Sequence, residues 1–149
     1  MQNKIVVGVT QRVDIVKNHG ECRDALDQRL FEWLTAAGFI AVPIPNTLVN
    51  LNCSLGEQKA LAEWIESVGV KALVLSGGND IGEIPERDCT ENYLLSWAEK
   101  NKNPVLGICR GMQMMGVYAG GNIIEVKDHV RVKHKLNYIG DNELFPELV

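Results

Sequence analysis

Strand-like and helix-like segments alternate along this chain, and this alternation limits the possible folds more than any other feature. The strand-like segments are short apolar runs rich in β-branched residues, at 4–10, 39–45, 70–78, 104–108 and 122–126. The segments between them have helical spacing of apolar residues, at 24–38, 54–69, 87–102 and 110–121. Such alternation predicts a three-layer α/β/α fold with a mostly parallel central sheet. We expect one domain over residues 1–149, because no linker or internal repeat interrupts the pattern.

Composition excludes several classes of protein. The net charge of −4 makes nucleic acid an unexpected partner. The four cysteines form no CxxC pair, so neither a zinc site nor a disulfide framework is predicted, and we expect no metal and no cofactor. The N-terminus has no basic leader and no apolar run is long enough to span a membrane. The sequence therefore predicts a soluble cytoplasmic protein that does not bind membranes.

The sequence LGICRG places Cys109 where a predicted strand runs directly into a predicted helix. Gly107 and Gly111 lie two residues before and after it. This is the pattern of a G-x-nucleophile-x-G turn, which holds its central side chain clear of the sheet. The N-terminus of the following helix favours the thiolate form of a cysteine beside it. We interpret Cys109 as a nucleophile; the alternative is a structural cysteine with two incidental glycines.

A second motif, LSGGNDIG, follows the strand before the one that leads to Cys109. Ligands bind at the carboxyl ends of the strands in parallel sheets. The paired glycines Gly77 and Gly78 can turn backbone N–H groups toward an anion. Together with the N–H of Arg110, this loop would supply the two donors of an oxyanion hole. The alternative is an ordinary turn between a strand and a helix.

These two motifs, with the run ERDCTENYLLSWAEKNKNPVLGICRGMQ, resemble the γ-glutamyl hydrolase branch of the class I glutamine amidotransferase-like fold. The resemblance implies that Cys109 attacks the carbon of a γ-glutamyl amide. It implies an oxyanion hole from the N–H groups of Gly78 and Arg110, and substrate contacts from Gly77 and Gln113. The implied activity is hydrolysis of a small γ-glutamyl substrate through a thioester, with release of glutamate.

Two further features of the resemblance have plain alternatives. Gln113 lies one helical turn after Cys109 on the same face, where it either reaches the substrate or faces solvent. The other feature is an RD…E segment on the helix that precedes the corner: Arg87, Asp88 and Glu91. One of its acids would pair with Arg110 and fix a wall of the site. Otherwise the three are first-turn acids and a solvated arginine.

A thiol nucleophile needs a general base, and the family resemblance implies a histidine in a His-Pro-Glu-like motif that this sequence does not contain. The histidines are His19, in an early polar loop, and His129 and His134, in a basic stretch. Either the chain is a fragment of a longer enzyme whose C-terminal portion is missing, or it uses another base or none. We expect the fragment.

The basic stretch at 127–135 alternates cationic and apolar residues, which predicts a strand. Its cations Arg131, Lys133 and Lys135 would lie on one face. They either keep an edge strand soluble or form a phosphate-binding rim suited to a nucleotide diphosphate leaving group.

Two other functions of the protein stay open besides γ-glutamyl hydrolysis: a glutaminase subunit that passes ammonia to a synthetase, and a non-catalytic binding domain.

Overall fold

The computed structural model of the chain describes residues 4–127 and 132–133. Its strands are β1 (Val6–Thr10), β2 (Arg12–Val16), β3 (Glu21–Ala25), β4 (Ile40–Ile44), β5 (Ala72–Leu75) and β6 (Val105–Gly107). Its helices are α1 (Gln28–Ala36), α2 (Lys59–Val68), α3 (Pro85–Asn101) and α4 (Arg110–Tyr118). Two single 3₁₀ turns, Asn46–Leu48 and Leu55–Glu57, precede α2.

Four parallel strands form the central sheet in the order β4-β1-β5-β6. The predicted mostly parallel sheet is therefore confirmed. From β1 the chain goes first to β4 on one side and later to β5 on the other. The order of strands thus reverses between β1 and β5, and ligands bind in the crevice outside the carboxyl ends of strands at such a point.

Helices cover the two faces of the sheet. Alternate strand residues point to opposite sides, and apolar side chains on both sides have to be buried. One face packs on α1 through a buried cluster of Val7, Val9, Leu34 and Val74. The other face packs on α2 and α3 through a second cluster, which includes Ile44, Leu61, Ile65, Leu73 and Leu94. Helix α4 lies on this second side, where Met114 packs with Leu75 and Leu95. The predicted layered α/β fold is confirmed.

A β-hairpin between β1 and α1 was not predicted from the sequence. Strands β2 and β3 pair antiparallel, from Arg12 opposite Ala25 to Val16 opposite Glu21. The helix predicted to begin at residue 24 therefore begins only at Gln28, after its N-cap Asp27. Asp24 and Ala25 belong to the hairpin instead, because their backbones pair with β2.

The prediction of a fifth strand at 122–126 is wrong. These residues are irregular and exposed, and Ile124 keeps 78% of its accessible surface. The run is apolar enough for a strand, but no strand in the described part of the chain pairs with it. In the basic stretch, Lys133 is described and exposed, whereas Arg131 and Lys135 lie outside the described residues. No described helix combines the length and apolar character needed to cross a bilayer.

Candidate active site

Cys109 lies at the corner between β6 and α4, as the sequence predicted. It is the N-cap residue of α4 and has φ 53° and ψ −109°, which is outside the usual regions for a residue with a side chain. Its thiol is free and the residue is exposed. Strained backbone of this kind occurs at functional sites, where the surrounding structure has to hold it in place.

The two glycines beside Cys109 are required by close packing of backbone. A Cβ atom on Gly111 would collide with the carbonyl group of Leu75 in β5, and one on Gly107 would lie 2.6 Å from the backbone nitrogen of Met112. Helix α4 therefore lies directly against strands β5 and β6. This contact sets the direction in which α4 leaves the sheet after Cys109.

The Gly77–Gly78 loop lies next to Cys109. A Cβ atom on Gly77 would be 3.5 Å from the Cβ of Cys109, which is ordinary contact distance. Gly78 has φ 87°, a conformation that favours glycine. Within the described part of the chain, the backbone N–H groups of Gly78 and Arg110 donate no hydrogen bond. The loop and the strand-to-helix turn at Cys109, which we call the cysteine elbow, thus bring two unused donors to the same end of the sheet.

Arg110 points away from this opening and into the protein. Its guanidinium forms ion pairs with Asp88 and with Glu91 of α3, and its side chain is 3% exposed. The expected pairing with an acid of the RD…E segment is therefore present, with both acids. Glu91 also accepts a 2.8 Å hydrogen bond from the hydroxyl of Thr10 at the end of β1. These contacts fix the first residue of α4 relative to α3 and β1.

Arg87 is fully buried and donates to the Gly77–Gly78 loop. Its guanidinium contacts the carbonyl oxygens of Ser76, at 2.7 Å, of Gly77, at 3.1 Å, and of Gly78. Burial lowers the pKa of the Arg87 guanidinium; Glu91 opposes this shift and Arg110 adds to it. The sequence pattern places Arg87 in the RD…E segment but does not indicate that it contacts the loop.

Gln113 lies one turn along α4 from Cys109, and its backbone N–H bonds to the Cys109 carbonyl at 3.1 Å. The side chain is exposed, a position open both to a substrate and to solvent. His19 lies in the turn of the β2–β3 hairpin, and His129 and His134 lie outside the described residues. No histidine can therefore be placed beside Cys109 from the described residues.

A cleft of about 330 Å³ opens between the hairpin and the glycine loop. Its lining includes Arg12, Asp27, Ser76, Gly77 and Gly78. The side chain of Arg12 lies over Gly78, where an added Cβ would be 2.9 Å from its Cδ. Neither Arg12 nor Asp27 was predicted from the sequence as a residue of the site. Arg12 could have been found, because it follows the end of β1 and the carboxyl-end rule applies to that strand as well.

Electrostatics at the cleft are dominated by paired charges. Hydrogen bonds from the side chain and the backbone N–H of Arg29 lower the pKa of Asp27 to about 2, with a smaller contribution from Arg12. Arg12 itself pairs with Asp14 at 3.0 Å. Among residues 4–127 and 132–133, no three histidine, cysteine or acidic side chains are grouped closely enough to hold a metal ion.

The parallel sheet, the cysteine elbow and the glycine loop beside it define a class I glutamine amidotransferase-like α/β domain. The sequence profile of the Peptidase C26 family matches residues 5–143, and the chain therefore belongs to that family.

Several curated proteins are similar in sequence. A glutamine amidotransferase-like protein of Rickettsia prowazekii is 30% identical over 158 residues, which is 93% of this chain and 52% of the relative. The γ-glutamyl-CDP-amidate hydrolase of Campylobacter jejuni is 36% identical over 73 residues, covering 45% of this chain and 36% of the hydrolase. A GMP synthase of Bacillus licheniformis is 33% identical over 88 residues, 58% of this chain and 16% of the synthase. The chain thus spans about half the length, or less, of these relatives.

Proposed function

We propose that this chain carries the nucleophile of a hydrolase that cleaves γ-glutamyl amides. The observation that carries the proposal is the strained Cys109 at the N-terminus of α4, held beside the Gly77–Gly78 loop. Membership of the Peptidase C26 family supports hydrolysis of a C–N bond. The name of the Campylobacter jejuni relative supports a γ-glutamyl substrate.

The reaction has two steps. The sulfur of Cys109 attacks the γ-carbonyl carbon, and the N–H groups of Gly78 and Arg110 stabilise the negative oxygen that forms. The C–N bond then breaks, the amine leaves with a proton, and a γ-glutamyl thioester remains on the enzyme. Water attacks the thioester, which releases glutamate and restores the thiol. In this proposal Gly77 and Gln113 contact the glutamyl group.

A quenched reaction followed by intact mass measurement tests this mechanism. The full-length protein is mixed with a γ-glutamyl amide, and the acyl-enzyme is expected as a mass increase of one glutamyl group. Cys109→Ala should form no adduct and lose turnover. Cys22→Ala is the matched control, because Cys22 is also free and exposed but lies in the hairpin strand β3. Turnover by Cys109→Ala at the parental rate would contradict the proposal.

The leaving group we propose is a nucleotide diphosphate amidate, as in γ-glutamyl-CDP-amidate. Two observations support it: the similarity to the Campylobacter jejuni enzyme and the cationic stretch that contains Arg131, Lys133 and Lys135. A comparison of kcat/KM on γ-glutamyl-CDP-amidate and on a small γ-glutamyl amine tests this choice. A clear preference for the small amine would exclude the nucleotide.

The similarity to GMP synthase favours a second candidate, a glutaminase that passes ammonia to a synthetase. That function predicts glutamine as the substrate and a partner protein that raises glutaminase activity. Glutamine turnover that is low alone and rises when a synthetase is added would select it. Turnover of γ-glutamyl amides at full rate without any partner favours the hydrolase.

A further inference from the structure

The guanidinium of Arg87 is buried completely, and each of its five N–H groups has an acceptor. The Nε group donates to Glu91 at 3.3 Å. One terminal nitrogen donates to the Gly78 carbonyl and to Oδ1 of Asn79, and the other donates to the carbonyls of Ser76 and Gly77. Three consecutive carbonyl oxygens of the glycine loop therefore converge on one cation.

This convergence determines where the N–H groups of the loop point. In a trans peptide the C=O and the N–H of the next residue point in opposite directions, and none of the described peptide bonds is cis. The carbonyls of Ser76 and Gly77 point toward Arg87, so the N–H groups of Gly77 and Gly78 point away from it. That direction leaves the Gly78 N–H available to a ligand, in agreement with its lack of a partner among the described residues.

One carboxylate connects this loop to the elbow. Oε1 of Glu91 accepts from Arg87 and from the Thr10 hydroxyl, and Oε2 accepts from Arg110. Arg87 holds the loop that carries the Gly78 donor, whereas Arg110 carries the second donor on its own backbone. Glu91 therefore fixes both proposed halves of the oxyanion hole relative to each other.

Stability alone does not explain an arginine at this position. A buried ion pair is often replaceable by apolar side chains without loss of stability. A lysine has three donors on one nitrogen, whereas Arg87 donates from three separate nitrogens. The spread of the acceptors over these three nitrogens favours the guanidinium fork over a lysine.

We propose that Arg87 is a positioning residue that sets the peptide orientation of the Gly77–Gly78 oxyanion loop. The inference rests on the proposed function of this loop in catalysis. Arg87 does not contact the substrate; it acts through the carbonyls that it binds. Its loss should therefore raise the energy of the transition state by more than it weakens ground-state binding, to which this loop contributes only through Gly77.

The test compares Arg87→Lys in the full-length protein with Arg23→Lys, a matched change at an exposed arginine of β3. We expect kcat on a γ-glutamyl amide to fall by about 10²–10³ in R87K, the usual effect of losing an oxyanion donor, with a much smaller change in KM. Alkylation of Cys109 by iodoacetamide forms no oxyanion, so its rate should stay within about twofold of the parent. R23K should match the parent in all three measurements.

Amide ¹H–¹⁵N spectra give a readout that does not depend on activity. The resonances of Gly77, Gly78 and Asn79 should shift in R87K, while those of α1 stay in place. Unchanged loop resonances in a folded R87K protein, or an alkylation rate that falls in parallel with kcat, would overturn the positioning role. An inactive parent would count against the proposed function, and the spectra would then still decide the role of Arg87.

A second variant covers the case in which R87K does not fold. Asn79→Ala removes one acceptor of Arg87 and leaves its bonds to Glu91 and to the loop carbonyls in place. It also removes two hydrogen bonds between the Asn79 side chain and the backbone of Val13. We expect a smaller fall in kcat than in R87K, again with little change in KM. An unchanged kcat in N79A, beside an unfolded R87K, would assign Arg87 to folding and contradict the proposal.

Discussion

The backbone of Cys109 combines a positive φ with a side chain, a conformation that L-residues rarely adopt. Such strain costs of order 1–3 kcal/mol and persists only where neighbouring contacts enforce it. Here the enforcing contact is the approach of α4 to β5, which Gly111 permits because it has no Cβ. The sequence G-x-C-x-G therefore specifies both the position of Cys109 at the corner and the packing that holds it there.

The first prediction concerns Gly111. Replacing it by alanine forces a Cβ into the Leu75 carbonyl, so β5 and α4 have to separate. We expect the free energy of unfolding to fall by about 3 kcal/mol, the upper part of the usual range for overpacking. Urea denaturation measures this change. Gly116→Ala is the control in the same helix: an added Cβ there meets open space, and the variant should gain up to about 1 kcal/mol.

The second prediction concerns Thr10, whose buried hydroxyl donates to Glu91 and accepts from the Ser76 N–H at 3.0 Å. Thr10→Val keeps the shape of the side chain but leaves the Ser76 N–H without its partner. We expect a loss of about 2 kcal/mol in the free energy of unfolding. Thr10→Ser keeps the hydroxyl and should lose less. Equal stability of the valine variant and the parent would show that the hydroxyl does not hold the end of β1 to β5.

At the scale of elements, the sequence was most informative for long segments with regular spacing of apolar residues and for strands that are buried on both faces. The parallel strands and the four helices of the described residues were predicted, because their apolar residues face the core clusters. The hairpin was missed because β2 and β3 are mostly exposed and have a weak apolar pattern. Its signal was the turn around Asn18 and Gly20, where Gly20 has φ 62°.

The wrong predictions of where α1 begins and of a fifth strand have the same physical cause. Local pattern reports which residues are apolar, but strand formation also needs a neighbouring strand to pair with. Residues 122–126 have the apolar composition without such a neighbour among the described residues. Asp24 and Ala25 have a helical pattern but pair with β2. In both cases contacts distant in sequence decide the structure.

Helix α1 carries a prediction about pH. Its N-cap Asp27 has a pKa lowered from 3.8 to about 2, chiefly by hydrogen bonds from Arg29. A lowered pKa in the folded state stabilises the protein above the unfolded value of 3.8, and this contribution is lost as the pH falls through about 2. Asp27→Asn keeps a good N-cap but has no charge. We therefore expect the parent to have the higher Tm near neutral pH.

The Tm difference between the parent and D27N should shrink below pH 4 and disappear below about pH 2. Thermal melts at several pH values measure it. In the background of Arg29→Gln the same substitution should give a smaller difference at every pH, because the main partner of the carboxylate is gone. A Tm difference that stays constant from pH 6 to pH 2 would show that the Asp27–Arg29 contact does not contribute to stability.

At the scale of the whole molecule, the closeness of the two candidate-site motifs was predictable because it follows from topology. Parallel strands end at the same edge of the sheet, so the motifs after β5 and β6 had to lie together. The ion pairs behind the site were only partly predictable. Asp88 and Glu91 both reach Arg110 since α3 and α4 pack on the same face of the sheet, which the sequence pattern does not specify.

The last prediction concerns charge across the molecule. The chain has a net charge of −4, yet four of its fifteen basic residues lie in one stretch at 127–135. If that stretch binds the phosphates of a leaving group, Arg131, Lys133 and Lys135 should lower KM through charge-assisted hydrogen bonds. Each contact should contribute about 1–3 kcal/mol, because the acceptor is charged.

The test replaces all three cations by glutamine in the full-length protein and compares two substrates. A nucleotide-bearing γ-glutamyl amide should lose kcat/KM, whereas γ-glutamyl-aminobutyrate, which carries no phosphate, should not. High salt should weaken turnover of the nucleotide substrate in the parent, because the contacts are partly screened. If the cations only protect a strand edge, the variant should lose solubility and keep its kinetics. If the triple variant and the parent differ in kcat/KM by the same factor on both substrates, these cations do not form a phosphate-binding rim. The residues of this chain would then give little support for a nucleotide leaving group.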